Sequence, residues 1–438
     1  MEQQKQSRIS SWLSGAPAWQ FSIYAMGFAF ATYFCMYAFR KPFGAATFEG
    51  MEFLWGIKLK TAFVIGQIIG YTLSKYYGCK YCSEIGRSQQ AKALVLMIVT
   101  AEAALLAFAL LPGNLKVLAI FINGLPLGMV WGLVSRYLEG RKTAELLFAG
   151  LSCSYIVASS SVKTIGGWVM QVGVPEFWMP AAVGGIFFLP FVIAVFFLNQ
   201  LPDPSTADIS SRSERTVMDS SDRSTFFRQF MGGMVMLLLL YFFLTAYRDV
   251  RDMYMPEVFK DLGYPPEPTL FSKADYPIAF GIMVVMALLN LAKDHRRGLT
   301  AVFAVMMSGM LLMGGATVLM DLKVINGLWW MILVGFGAYL AYVPFGAVLF
   351  ERIMASTKAA GTAVFAIYLS DAIGYTGSVG VQLYKDLGQS ELDYYQFLRF
   401  FTYGIAGLGT VLFAMSGVYF LAKAKAAAME AAAKEKSD

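Results

Sequence analysis

The chain alternates long apolar runs with short polar connectors. An apolar helix needs about 20 residues to cross the hydrocarbon core of a bilayer. About a dozen such runs can be placed, centred near Gly27, Ile68, Ala103, Phe121, Ile156, Phe187, Leu238, Met283, Met307, Val334, Ala366 and Gly409. Residues 1–18 are polar, and the first apolar run, Trp19 to Phe39, is long and followed by many others, which predicts a retained membrane helix and not a cleaved signal. One stretch breaks the rhythm: Leu201 to Phe226 is rich in Ser, Asp and Arg, lacks apolar periodicity and predicts a flexible cytoplasmic connector. The pattern therefore predicts an all-α membrane protein of twelve transmembrane helices. A first six-helix bundle covers 1–200, a linker 201–226, a second bundle 227–422 and a cytoplasmic tail 423–438. The tail is Ala, Lys and Glu, good helix formers that should prolong the last helix.

Composition agrees with this pattern and narrows it. Hydrophobic residues make up 57% of the chain and charged residues 15%, with a mean hydropathy of +0.56. With an even number of crossings both termini share a side. Lys5, Arg8, Arg87, Arg141, Arg296, Arg297, Arg352 and Lys423 fall in the loops on that side, which predicts cytoplasmic termini in a bacterial inner membrane. The net charge of +6 then reflects topology and excludes nucleic acid as the expected partner. A single His and no Ser or Cys with a positioned base leave no catalytic constellation, so the chain reads as a non-enzyme without cofactor. Cys79 and Cys82 form CKYC, but with Cys35, Cys153 and His295 far away in sequence they predict no metal site.

The two halves echo each other. Arg40 and Arg251, Gly124 and Gly335, and Arg141 and Arg352 are separated by the same interval of about 211 residues, which suggests a parallel internal repeat. Arg40, in YAFRKPF from Tyr37 to Phe43, stands at the end of an apolar run, where a guanidinium costs roughly 2.5 to 3.5 kcal/mol at bilayer depth. Such a charge should face protein or water. Either it snorkels to the interface or it holds an anion, for which its planar fork of donors suits phosphate oxygens.

YAFRKPF resembles the first-helix motif of the organophosphate:phosphate antiporters of the major facilitator superfamily, in which Arg followed by Lys recurs. NGLPLGMVWG (Asn123 to Gly132), GYTLSKYYG (Gly70 to Gly78), KTIGG (Lys163 to Gly167) and YRDVRDMYMP (Tyr247 to Pro256) are similar to further segments of that family. The resemblance implies the major facilitator fold, a substrate near the bilayer midplane and alternating access. It implies a small anionic substrate, with inorganic phosphate or protons as counter- or co-substrate, and a monomer in membrane lipid. Substrate-binding residues would be Arg40, Tyr37, Lys163, Tyr247 and an arginine of the seventh helix. Register on Pro256 selects Arg248 for that last role and the internal spacing selects Arg251; the motif register ranks Arg248 first. The chain departs from the family pattern where Tyr254 replaces a Trp and Lys163 a His, so the cargo need not be one of the classical phosphates.

Asp371 interrupts the eleventh apolar run. It could pair with Lys163 as a gate, or titrate and make the protein a proton-coupled symporter of a carboxylate or zwitterion. A transport-like sensor of a phosphorylated ligand is the reading from another class. Glu102, mid-helix in the third run, is expected to make a helix–helix hydrogen bond.

Overall fold

The computed structural model describes residues 7–204 and 227–435, apart from 140, 142, 293, 358–362 and 390. The linker read at Leu201–Phe226 thus lies, from Ser205 onward, outside the described residues, as do the last three residues of the tail. The described residues form helices: α1 Arg8–Gly15, α2 Ala18–Tyr37, α3 Leu59–Glu84, α4 Arg87–Leu110, α5 Leu115–Leu138, α6 Ala144–Gln171, α7 Met179–Leu198, α8 Met231–Met253, α9 Met255–Asp261, α10 Thr269–Asn290, α11 His295–Asp321, α12 Gly327–Pro344, α13 Phe350–Thr357, α14 Ala363–Leu383 and α15 Tyr394–Glu435. Each apolar centre read from the sequence falls inside one of them.

Among the described residues, eight helices are long and apolar enough to cross a membrane. Helices α2, α3, α6 and α14 are not among those eight, and they are the ones carrying Tyr33 and Tyr37, Lys75, Lys163 and Asp371.

By contact clustering the chain forms two compact units: Met1–Ser213 with Glu267–Ser272, and Glu214–Pro266 with Lys273–Asp438. In the first unit α3 lies along α5, α4 packs on α5 and α7, and α2 packs on α6 and α7. The α3–α5 contact is backbone against backbone. A side chain at Gly70 would overlap the Phe121 carbonyl, one at Gly124 the Gln67 carbonyl, and a Cβ on Gly128 would lie 2.5 Å from the Tyr71 carbonyl. Three glycines thus let two membrane helices approach where any larger residue would hold them apart. This contact also fixes Tyr71 in place. In the second unit α11 and α12 meet in the same way: a Cβ on Gly309 or Gly337 would come within 2.5 Å of the other's carbonyl.

The first span does not run straight through. α2 ends at Tyr37, the Arg40 and Lys41 amides both return to the Tyr37 carbonyl, and a short 3-10 turn, Pro42–Ala45, follows. Pro42 cannot donate to an upstream carbonyl, so a break here is expected. In a membrane bundle the freed carbonyls need partners from elsewhere in the protein. Asn123 Nδ2 donates to the Phe39 carbonyl at 3.0 Å and to the Ala101 carbonyl at 3.0 Å, while Gln67 Nε2 donates to the Arg40 carbonyl at 2.9 Å and to Asn123 Oδ1 at 2.8 Å. Two amides from α5 and α3 therefore hold the backbone of the turn that carries Arg40.

Candidate functional site

In the first unit the break after α2 places Arg40 over an aromatic ring. Its guanidinium carbon lies 3.8 Å from the centroid of Tyr71 and 5.9 Å from that of Tyr37, and the residue is 7% exposed. Lys75 of α3, one turn beyond Tyr71, brings its Nζ to 5.4 Å from the same Tyr71 ring. The i, i+4 spacing of Tyr71 and Lys75 puts both on one helix face. Two cations thus share one aromatic ring, whose negative face favours each of them. Tyr33 extends the cluster: its ring is 5.5 Å from Tyr37 and 4.9 Å, edge-on, from Trp131 of α5. Tyr71 and Lys75 both lie in the motif GYTLSKYYG, and neither is singled out by the sequence as a site residue. The usable signal was the lysine four residues after a tyrosine, which places both on one face of the helix.

Lys163, on α6, is fully buried, with its Nζ 5.6 Å from the Phe271 ring. The next residue, Thr164, donates to the Pro268 carbonyl at 3.0 Å, and its Oγ1 lies 2.7 Å from Ser272 Oγ; both partners belong to the segment grouped with this unit. Gly167 lets that segment close in, since a Cβ there would lie 2.7 Å from Pro268 Cβ.

The second unit separates the two arginines of α8. Arg251 is 2% exposed, donates from Nη1 to Asp275 Oδ1 of α10 at 3.0 Å, and donates from Nε and Nη2 to the Met331 carbonyl of α12 at 3.2 and 2.9 Å. Gly335 makes room for it, because a Cβ there would lie 2.5 Å from the guanidinium carbon. Arg251 is thus a brace among three helices. Although the sequence interval of about 211 residues pairs it with Arg40, its chemistry differs, since its charge is met by a buried carboxylate. Replacing Asp275 with Leu leaves that guanidinium buried beside no counter-ion. The expected loss is about 3 to 5 kcal/mol, read as a lower melting temperature of the purified protein.

Arg248 stands in a more open setting. Its side chain is 17% exposed, donates from Nη2 to Asp249 Oδ1 at 2.9 Å, and lies with its guanidinium carbon 4.4 Å from the Tyr342 ring. Asp249 is held from its other oxygen by Ser378 Oγ of α14, which donates at 2.8 Å. Asp371, also on α14, accepts from Tyr241 Oη at 2.9 Å, and the Tyr241 ring stacks on Tyr342 at 5.1 Å. The helix after Tyr342 loosens into a π-helical turn, Phe345–Leu349, a distortion common at functional sites. Tyr247, by contrast, is fully buried and its hydroxyl lies 2.9 Å from Thr402 Oγ1 of α15, a packing contact on another face of α8.

Among the described residues no cluster of His, Cys, Asp and Glu could hold a metal ion.

The fold is shared with solved transporter structures. A crystal structure of a point mutant of the nucleoside transporter NupG superposes with a TM-score of 0.59 at 13% identity, covering 92% of this chain and 99% of that one. The crystal structure of a D-xylose-proton symporter gives 0.57 at 15% identity, covering 92% of this chain and 97% of that one. At these identities the likeness extends to the fold and carries no substrate. By sequence, residues 42–423 match the family described as Family of unknown function (DUF5690), and the chain belongs to that family. No curated protein matches it in sequence.

Proposed function

We propose that this membrane protein is a secondary active transporter, twelve spans with cytoplasmic termini, that moves a small organic anion by alternating access. A phosphate group is the best match. The observation that carries this reading is the pair of cations on Tyr71. Arg40 supplies a planar fork of donors that stays charged when desolvated, and Lys75 adds a second positive charge within reach of the same ring. An anion placed near the ring would be attracted by both positive charges. In the second unit Arg248 is the arginine proposed to contact ligand, while Arg251 and Tyr247 are assigned to holding the helices together. The solved structures of like fold are named for a nucleoside and for D-xylose with protons, so the anion class rests on Arg40 and Lys75.

Asp371 favours a second reading, proton-coupled symport of a carboxylate or zwitterion. It is a carboxylate within a helical span, and it accepts a hydrogen bond from the Tyr241 hydroxyl. Liposomes containing the purified protein test the class. Uptake of labelled inorganic phosphate or a labelled sugar phosphate should accelerate when unlabelled anion is trapped inside. Binding of either without any flux would point to the sensor instead.

A further inference from the structure

We propose that Glu102 is a proton-carrying site whose ionisation is tied to the turn that holds Arg40. Glu102 lies on α4, fifteen residues past Arg87 and eight before Leu110, which at about 1.5 Å per residue places it well inside the span. The helix–helix hydrogen bond expected of it from the sequence is not made by Oε2, which is buried and has no hydrogen-bond partner. That oxygen is pressed against Gly184 of α7, where a Cβ would overlap it, and the same Cβ would lie 3.1 Å from Phe39 Cδ1. Glu102, Gly184 and Phe39 therefore form one wedge. Oε2 has lost its water against Gly184 without gaining a donor, an arrangement that suits a neutral carboxyl better than a carboxylate.

The surrounding charges fit this assignment. α7 contains no titratable residue. On α5, Lys116 donates to the Phe108 and Ala109 carbonyls, Arg136 to the Cys82 and Ile85 carbonyls, and Tyr137 to Asn199, all toward the helix ends. α4 itself adds Arg87 and Lys92 near its start, and the end of α2 with its turn adds Cys35, Tyr37, Arg40 and Lys41. Of these, Arg40 follows directly on Phe39, a member of the wedge. Asn123 joins the two sides mechanically, because its Nδ2 donates both to the Phe39 carbonyl and to the carbonyl of Ala101, the residue before Glu102.

When the proton leaves to water, its electron pair stays on the carboxylate and the new charge requires a donor. Phe39 must then move off Gly184, which draws the Arg40 turn toward the carboxylate. On the reading of Arg40 as an anion site, an ionised Glu102 competes with cargo for the guanidinium, so proton and anion bind together. Linkage makes the effect reciprocal.

The test needs no cargo. Hydrogen exchange of the Phe39–Ala45 segment is compared between the full-length wild type and Glu102→Gln in lipid nanodiscs across about pH 5 to 9, so that the intrinsic pH dependence cancels. The proposal expects equal exchange at the acid end and about threefold or faster exchange in wild type at the alkaline end, together with a protonated-carboxyl infrared band that Glu102→Gln removes. Equal exchange at every pH, or a band that survives the substitution, overturns it. Should Glu102→Gln fold poorly, Glu102→Asp serves in its place, with an unchanged band position counting against the proposal. Sulfate, which does not titrate in this range, separates the two readings. Affinity that falls about tenfold with rising pH in wild type and stays flat in Glu102→Gln supports the coupling. No sulfate binding at any pH removes the anion site and with it the coupling to cargo, while the exchange result decides the proton site by itself.

Discussion

Arg40→Lys should weaken binding of a phosphorylated anion about tenfold to a hundredfold, with little change in the melting temperature of the ligand-free protein. Hydrogen bonds to a charged partner contribute about 1.5 to 3 kcal/mol, and an ammonium on a shorter stem cannot offer the two parallel donors of the guanidinium. The positive charge over Tyr71 survives in the variant, so the fold has no reason to yield. Stability and affinity should therefore separate. The measurement is a calorimetric titration of purified wild type and variant with the same anion. Equal affinities would remove Arg40 from the site, and a large fall in melting temperature would make it a structural residue.

Asn123→Leu should produce the opposite separation. Its amide donates to two buried carbonyls, those of Phe39 and Ala101, and accepts from Gln67, and leucine of similar size can do neither. Each carbonyl left without a donor costs about 1 to 3 kcal/mol, and within a bilayer no water replaces the missing partner. A large loss of thermal stability is expected, with any protein that survives showing weakened anion binding, because the turn under Arg40 is no longer held. Thermal unfolding in detergent is the check. A variant as stable as wild type would mean that the amide bridge does not hold the turn.

Much of this architecture was legible in the residue pattern because membrane helices are written in long apolar runs, and each run found there lies on a helix. Arg40 was legible for the same reason, a charge standing out against a greasy background. The motif NGLPLGMVWG was legible as a resemblance, yet its physical work was not. Gly124 and Gly128 bring α5 against α3, and Asn123 satisfies a backbone broken 80-odd residues earlier, a relation no periodicity reports. The same limit explains the two arginines of α8. Arg248 and Arg251 lie about one turn apart in a pattern that treats them alike. What distinguishes them is Asp275 and the Met331 carbonyl, on other helices and far along the chain. Lys75 was hidden by its ordinariness, since a lysine near the end of a span usually marks the interface. Only its approach to the Tyr71 ring beside Arg40 sets it apart.

The central claim concerns the charge of the cargo. Wild-type protein, Arg40→Lys and Lys75→Gln should be screened together by thermal shift against sugar phosphates and other organic anions, with D-xylose and a nucleoside as uncharged counterparts. At least one phosphorylated compound should raise the melting temperature of wild type, both substitutions should diminish the rise, and the uncharged compounds should do nothing. Stabilisation by xylose or a nucleoside, undiminished in both variants and unmatched by any anion, would contradict it.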